Sequence, residues 1–260
     1  MSRYLNIIRK KAEKGDPKFQ HELAFEYFSG KKLKKDDSLA VDWWLKSAKK
    51  KYGKAYYNLA YMYFTGSGVS KNLEKAIKYH VLSSKKKHSY QAVSFFWLGY
   101  NIYFNHISGK PDVNKGLRFL EKAASMNLVN AQVLLSSYYD KGEIFYNDIY
   151  NSASKLNYIK IRPNKVKCIK YLKMAVKNKF IPSTAELINK YLKGDGVKKN
   201  IKKAYFYLST IPNLNNSKML SEMTLPENEK IILKRKIIAQ KRKIMSLIKK
   251  INKNSGTKKL

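Results

Sequence analysis

Between Ala55 and Ser84, apolar and polar positions trace two helical stripes joined by a glycine turn. Leu59, Ala60 and Tyr63 fall on one face, the last two standing one and four residues after the first, as a helical period requires. Gly66 and Gly68 follow and end that helix, because glycine permits positive φ. Asn72 then offers a side-chain oxygen to the free amides of a new first turn. Ala76, Tyr79 and Ser84 form the small or apolar face of the second helix. A hairpin this short cannot bury its stripe alone, so the pattern predicts copies of itself stacked alongside.

The copies are present from one end of the chain to the other. The glycine after the first helix recurs as Gly30, Gly66, Gly109, Gly142 and Gly194. The leucine before it is Leu23, Leu59, Leu98, Leu135 and Leu187, and the small neighbour of that leucine is Ala24, Ala60, Gly99 and Ser136, with Ile188 departing. The cap column is Asp36, Asn72, Asp112, Asn164 and Asn200. Four residues on stands a small residue (Ala40, Ala76, Gly116, Cys168, Ala204), and three further an aromatic (Trp43, Tyr79, Phe119, Tyr171, Tyr207). The intervals along the small column are 36, 40, 52 and 36 residues, so one copy carries a substantial insertion.

Two of these copies resemble a known family. Gly66-Ser67-Gly68-Val69 followed by Lys75-Ala76, and Gly194-Asp195-Gly196-Val197 followed by Lys203-Ala204, are similar to the turn and second-helix signature of the Sel1-like repeats, relatives of the tetratricopeptide repeats. The resemblance covers roughly residues 4 to 212. It implies an all-α fold, an α-solenoid of antiparallel helix pairs acting as an adaptor or scaffold, in a family whose members are mostly not enzymes. In that family the first helices line the concave surface.

On this basis repeats are expected at about 17–52, 53–90, 91–128, 129–182 and 183–212, forming one elongated solenoid domain over 1–212. Residues 2 to 14 look like a capping second helix, with Tyr4, Ile8 and Ala12 on one face and Gly15-Asp16-Pro17 as its stop. The turn of repeat three, Asn105 to Pro111, is longer than the others, and its second helix spans Asn114 to Met126. Between Gly142 and Asn164 lie 21 residues where repeats two and five have five, and this stretch shows no clear helical period. An insertion of that kind is either a tolerated loop or a binding edge. A linker is expected over 213–225, a basic amphipathic helix over 226–252, and a disordered tail over 253–260.

Charge changes the picture of partners rather than of fold. Lys and Arg number 54 against 18 acidic residues, a formal net charge of +36, and all but six of the basic residues are lysine. Lys, Asn, Ile and Tyr are all abundant, as an AT-rich genome would give, so composition competes with function as the source of that excess. The single cysteine excludes an internal disulfide framework. The amino-terminal stretch has no apolar run long enough for a signal peptide, and no segment approaches a membrane span, so a cytoplasmic protein is expected, with export lacking a cleaved signal left open.

Three surfaces are candidates for binding. Two residues after the column leucine stand Phe25, Tyr61 and Tyr100, with Tyr56 and Phe95 among the aromatics crowding the same helices; exposed rings there would clamp a peptide in a groove. Lys49, Lys50 and Lys51 repeat 36 residues later as Lys85, Lys86 and Lys87, with Lys177 and Lys179 near the equivalent point of repeat four; stacking would make them a basic edge, although lysines also suit the negative end of a helix. The carboxy-terminal helix carries Lys234, Arg235, Lys236, Lys241, Arg242 and Lys243 opposite an isoleucine stripe, which reads as a polyanion contact or as a cap on repeat five. Two functions follow: a scaffold for a protein or peptide partner, or an electrostatic binder of nucleic acid or anionic membrane. The four histidines lack metal-ligand spacing, Cys168 sits in a packing column, Asp36-Asp37 reads as a cap, and no phosphate loop is present. The sequence therefore points to no enzyme, cofactor, metal or small-molecule substrate.

Overall fold

The structure, a computed structural model, describes residues 3–102, 112–146 and 157–211, together with positions 231, 235, 238, 239, 242, 245 and 246. It is built of helices, eleven of them α among the described residues. Contacts divide the chain into two compact units, Met1–Ala131 with Phe145–Asn157, and Gln132–Ile144 with Tyr158–Leu260.

In the first unit α1 (Arg3–Glu13) precedes the pairs α2 (Pro17–Ser29) with α3 (Asp37–Lys49), α4 (Gly53–Thr65) with α5 (Leu73–Ser84), and α6 (Gln91–Trp97) with α7 (Val113–Ser125). A π-turn over Leu98–Ile102 continues α6. Leu23, Leu59 and Leu98 are all fully buried, each beside a buried small residue. At Gly99 the fit is close: a Cβ would stand 2.8 Å from the Gly116 carbonyl oxygen, so two glycines let helix meet helix in repeat three. α1 covers Leu23 through Ile8 and Ala12 and so caps the first pair. Its buried face is Leu5, Ile8 and Ala12, not the expected Tyr4 face. Tyr4 instead lies exposed, with the Lys32 ammonium 3.6 Å from its ring centre.

The second unit holds most of α8 (Val129–Lys141), then α9 (Lys165–Lys177), α10 (Ile181–Lys193) and α11 (Ile201–Ser209). Leu135, Cys168, Leu172, Leu187 and Ala204 are fully buried there. The insertion of repeat four is not purely irregular. Its ends form strands β1 (Glu143–Tyr146) and β2 (Asn157–Lys160), which pair as a two-stranded ribbon. The Ile161 amide donates to the Gly142 carbonyl at 2.9 Å and closes the base.

The cap column is uniform. The side chains of Asp36, Asn72, Asp112, Asn164 and Asn200 accept from the amides three residues on, at 2.8–2.9 Å. Four of the five caps also donate their own amide to a first-helix tyrosine carbonyl: Asp36 to Tyr27, Asn72 to Tyr63, Asn164 to Tyr139 and Asn200 to Tyr191. In repeats two, four and five that tyrosine stacks on the aromatic column of the second helix, Tyr63 on Tyr79, Tyr139 on Tyr171 and Tyr191 on Tyr207. The lysine whose amide the cap holds lies over the same ring, as Lys75, Lys167 and Lys203. In these three repeats the turn is thus pinned by main chain, side chain and ring together.

The repeat-three turn at Asn105 to Pro111, the expected linker over 213–225 and the tail over 253–260 lie outside the described residues. Within the expected carboxy-terminal helix the seven described positions are all helical.

Candidate interaction surface

The first helices α2 and α4 present Phe25 and Tyr61 at equivalent positions, 45% and 47% exposed. Phe28 joins them, 6.4 Å from Phe25 and edge-on to Tyr61 at 6.3 Å between ring centres. Apolar area left at this level costs solvation and is available to a partner. Tyr100, within the π-turn, is half-buried and stacks on Phe96 at 5.9 Å.

Two of the expected groove residues are corrected. Tyr56 is only 7% exposed and stacks on Tyr79, so it is a core residue. Phe95 is half-buried with its ring 5.8 Å from Phe119 of α7, and it packs a helix to its pair. Tyr57, next to Tyr56 on α4, stacks on Tyr90 at 4.6 Å and meets His80 edge-on. His80 is buried, stacked on Trp97 at 4.1 Å, and neither of its nitrogens has a hydrogen-bond partner. Burial pushes its pKa down to about 3. His21 is lowered to about 4, by burial first and then by the charges of Lys54 and His88, and its Nε2 lies 3.0 Å from the Asn58 amide.

The lysine turns come together. Lys49, Lys50, Lys51, Lys85, Lys86 and Lys87 are all exposed. A Cβ on buried Gly53 would stand 2.8 Å from the Lys86 Cβ and 2.6 Å from the His88 ring, so the turn after α5 seats on the start of α4, next to Lys51. Lys51 takes a left-handed φ of 60°, a position that glycine usually holds. In the second unit Lys177 ends α9, and Lys179 repeats the left-handed φ at 61°. Of the carboxy-terminal basic residues, Arg235 and Arg242 are helical and exposed; Lys234, Lys236, Lys241 and Lys243 lie outside the described residues.

A charge cluster around the buried Lys190 in the second unit escapes a column-by-column reading of the sequence. The Lys190 ammonium, 6% exposed as a residue, bonds to Asp140 Oδ1 and, at 2.6 Å, to Asp195 Oδ2. Lys165 reaches the same carboxylates at 2.7 and 3.2 Å. Burial works to lower the Lys190 pKa, but its hydrogen bonds to Asp140 and Asp195 outweigh that and hold it above the ordinary value. Burial likewise works to raise Asp140, and the two lysines hold it low instead. Asp140, Cys168 and Glu186 also bring ligand atoms within 4.8 Å of one another. Two ammonium groups already neutralise that corner, and burial pushes the Cys168 thiol up to about 12, so neither a nucleophile nor a ready metal ligand is presented. The signal lay at position 190: its equivalents Glu26, Met62 and Tyr138 are all buried, and a lysine in that column requires buried acids.

Helix pairs of this length, capped by Asp or Asn and joined through glycine turns, define an α-solenoid of the tetratricopeptide-like class. The family model described as Sel1 repeat matches residues 17–52, 53–88, 96–128, 159–180 and 191–210, more than half of the chain, and the chain belongs to the Sel1 repeat family. It is similar to a Sel1 repeat protein from Oxalobacter formigenes, at 21% identity and a TM-score of 0.60, covering 80% of this chain and 77% of that one. It is also similar to c5321, a protective antigen of uropathogenic Escherichia coli with the same repeat fold, at 19% identity and a TM-score of 0.57, covering 91% of this chain and 56% of that one. At these identities the likeness is one of fold. No curated protein sequence matches the chain. Members of the family are typically non-enzymatic interaction scaffolds. Among the described residues no helix is long and apolar enough to cross a membrane.

Proposed function

We propose that the protein is a non-enzymatic scaffold that holds a protein partner against the first-helix face of repeats one and two. The observation that carries this reading is the pair Phe25 and Tyr61. They occupy equivalent positions, stay nearly half exposed, and are braced from below by Phe28. Side chains two residues back on the same helices, Leu23 and Leu59, are fully buried, so the exposure is confined to one face. Rigid aromatic side chains of this kind supply contact area at low entropic cost.

The test is a pull-down with full-length protein beside a chain ending near Asn213, at low salt and at ~0.5 M salt, where exposed charge pairs are screened. A partner of the aromatic face stays bound at high salt, binds both chains, and is lost from a Phe25→Ala/Tyr61→Ala double variant. A partner stripped by salt and indifferent to that variant rejects the reading in favour of electrostatic binding through the lysine edge and carboxy-terminal helix.

A further inference from the structure

We infer that the partner segment held at this face is acidic: an extended peptide with a carboxylate about four residues from a large apolar side chain. This rests on the reading of Phe25 and Tyr61 as a binding face and adds the chemistry of the occupant.

The argument starts from Gly53. Because it lacks a side chain, Lys86 and His88 pack onto the start of α4 beside Lys51. Lys54 follows on the same turn, close enough to act electrostatically on both His21 and His88. Lys18 stands nearby on α2 and is 63% exposed in its side chain. Opposing acids are few. Glu22, 4.0 Å from Lys18, and Asp16, which caps α2, both act on Tyr52 at this end, but Lys18, Lys51, Lys54 and Lys86 outnumber them. The amino-terminal end of the face is therefore basic, and the aromatic pair lies further along the same helices. From Gly53 to Tyr61 is eight residues of helix, about 12 Å at 1.5 Å per residue, which an extended peptide spans in about four residues.

Charge also decides between occupants. A second copy of this chain brings a net charge of +36, and the chain's own stretch from Glu227 to Leu260 holds 12 basic residues against two acidic. Both are repelled by the lysines around Gly53, whereas an acidic segment is drawn in. Single-stranded nucleic acid fits less well. Base stacking needs a row of open ring faces, but one face of Tyr57 is taken by Tyr90 and one of Tyr100 by Phe96, which leaves Phe25 and Tyr61 as the exposed pair. What remains is apolar surface for an aliphatic or aromatic side chain.

The experiment selects a displayed library of short random peptides on the immobilised full-length chain, then measures the enriched peptides by fluorescence anisotropy. Expected winners carry Asp or Glu about four residues from a large apolar residue. Tyr61→Ala should weaken them at least ~10-fold, as truncation of a central anchor does, and Lys54→Glu with Lys86→Glu should weaken them further and flatten their salt dependence. Circular dichroism of each variant must match the parent. Winners that need Tyr61 but carry no acids overturn the acidic partner and leave the binding face standing. Winners indifferent to Phe25→Ala and Tyr61→Ala, or no enrichment at all, overturn both. Acidic winners without an apolar anchor that oligothymidine displaces mark a general polyanion surface and also overturn the proposal.

Discussion

Gly68, in the turn of repeat two, lies against the backbone of Asp37 at the start of α3, so close that a Cβ would stand 2.4 Å from the Asp37 carbonyl carbon. Its φ is +67°, and the Ser38 hydroxyl donates to its carbonyl at 3.4 Å. The two demands, left-handed backbone and no side chain, coincide at the joint between neighbouring pairs.

Gly68→Ala is therefore expected to cost at least ~3 kcal/mol, from positive φ plus a clash with main chain that cannot move aside. Gly15→Ala is the matched control. Its φ is +88°, but nothing lies within 4 Å of the added carbon, so only the strain of about 1 kcal/mol remains. Thermal melts of the two variants should separate clearly. Equal losses would mean that the joint is looser than the contact implies.

Acid should loosen the first unit. His80 and His21 are held neutral, at about 3 and about 4, whereas an unfolded histidine titrates near 6.5. Below that value the unfolded chain binds protons that the folded chain refuses, so stability falls as pH drops from ~6.5 toward the folded values. At pH 5 the two together remove roughly 4 kcal/mol relative to neutral pH. His80→Phe keeps the stack on Trp97 and removes two unpartnered nitrogens. It is expected to raise the melting temperature at pH 7 and to shrink the acid-dependent loss. A variant less stable at pH 7 and unchanged in its pH slope would contradict this.

Lys190 is predicted to be costly to lose alone. Lys190→Met leaves Asp140 and Asp195 sharing Lys165 only; both carboxylates are partly exposed and keep that partner, so the expected cost is that of the lost charge-assisted hydrogen bonds, ~1–3 kcal/mol. The double variant Lys190→Met/Asp140→Leu should recover most of it, because a well-packed apolar pair often matches a buried ion pair. Urea denaturation of the parent, both single variants and the double variant gives the coupling.

Tyr56 and Tyr61 should behave as opposites. Tyr56→Ala opens a hole in the core and is expected to cost ~3–5 kcal/mol. Tyr61→Ala removes an exposed ring and should stay within ~1 kcal/mol while abolishing partner binding. Melting curves for the pair, run beside the binding measurement, check both halves.

The packing columns were legible because they are local. A leucine, its small neighbour, a cap and an aromatic follow from helical period and side-chain size, and all of the described ones fall where the period puts them. Tyr56 was separable in principle. It stands three residues before Leu59 and seven before Tyr63, on the core stripe, while Tyr57 and Tyr61 share the other face. The two faces carry the same residue type, so aromatic content alone does not distinguish them. Tyr4 was misplaced for a similar reason, since Leu5 completes the stripe of Ile8 and Ala12 and leaves Tyr4 one position off it. The Lys190 cluster was harder. It joins α8, α9, α10 and the turn that follows α10, so it depends on which residues three helices bring together and not on any single period. The ribbon at the insertion was hidden because its two strands lie far apart in sequence and neither alternates cleanly.

The closed base of that insertion is held by main chain. Ile161 to Gly142, and Asn164 to Tyr139, are joined by main-chain hydrogen bonds. The end of α8 and the start of α9 are thus joined here through their own backbone, and side-chain substitutions along β1 and β2 leave those two hydrogen bonds available.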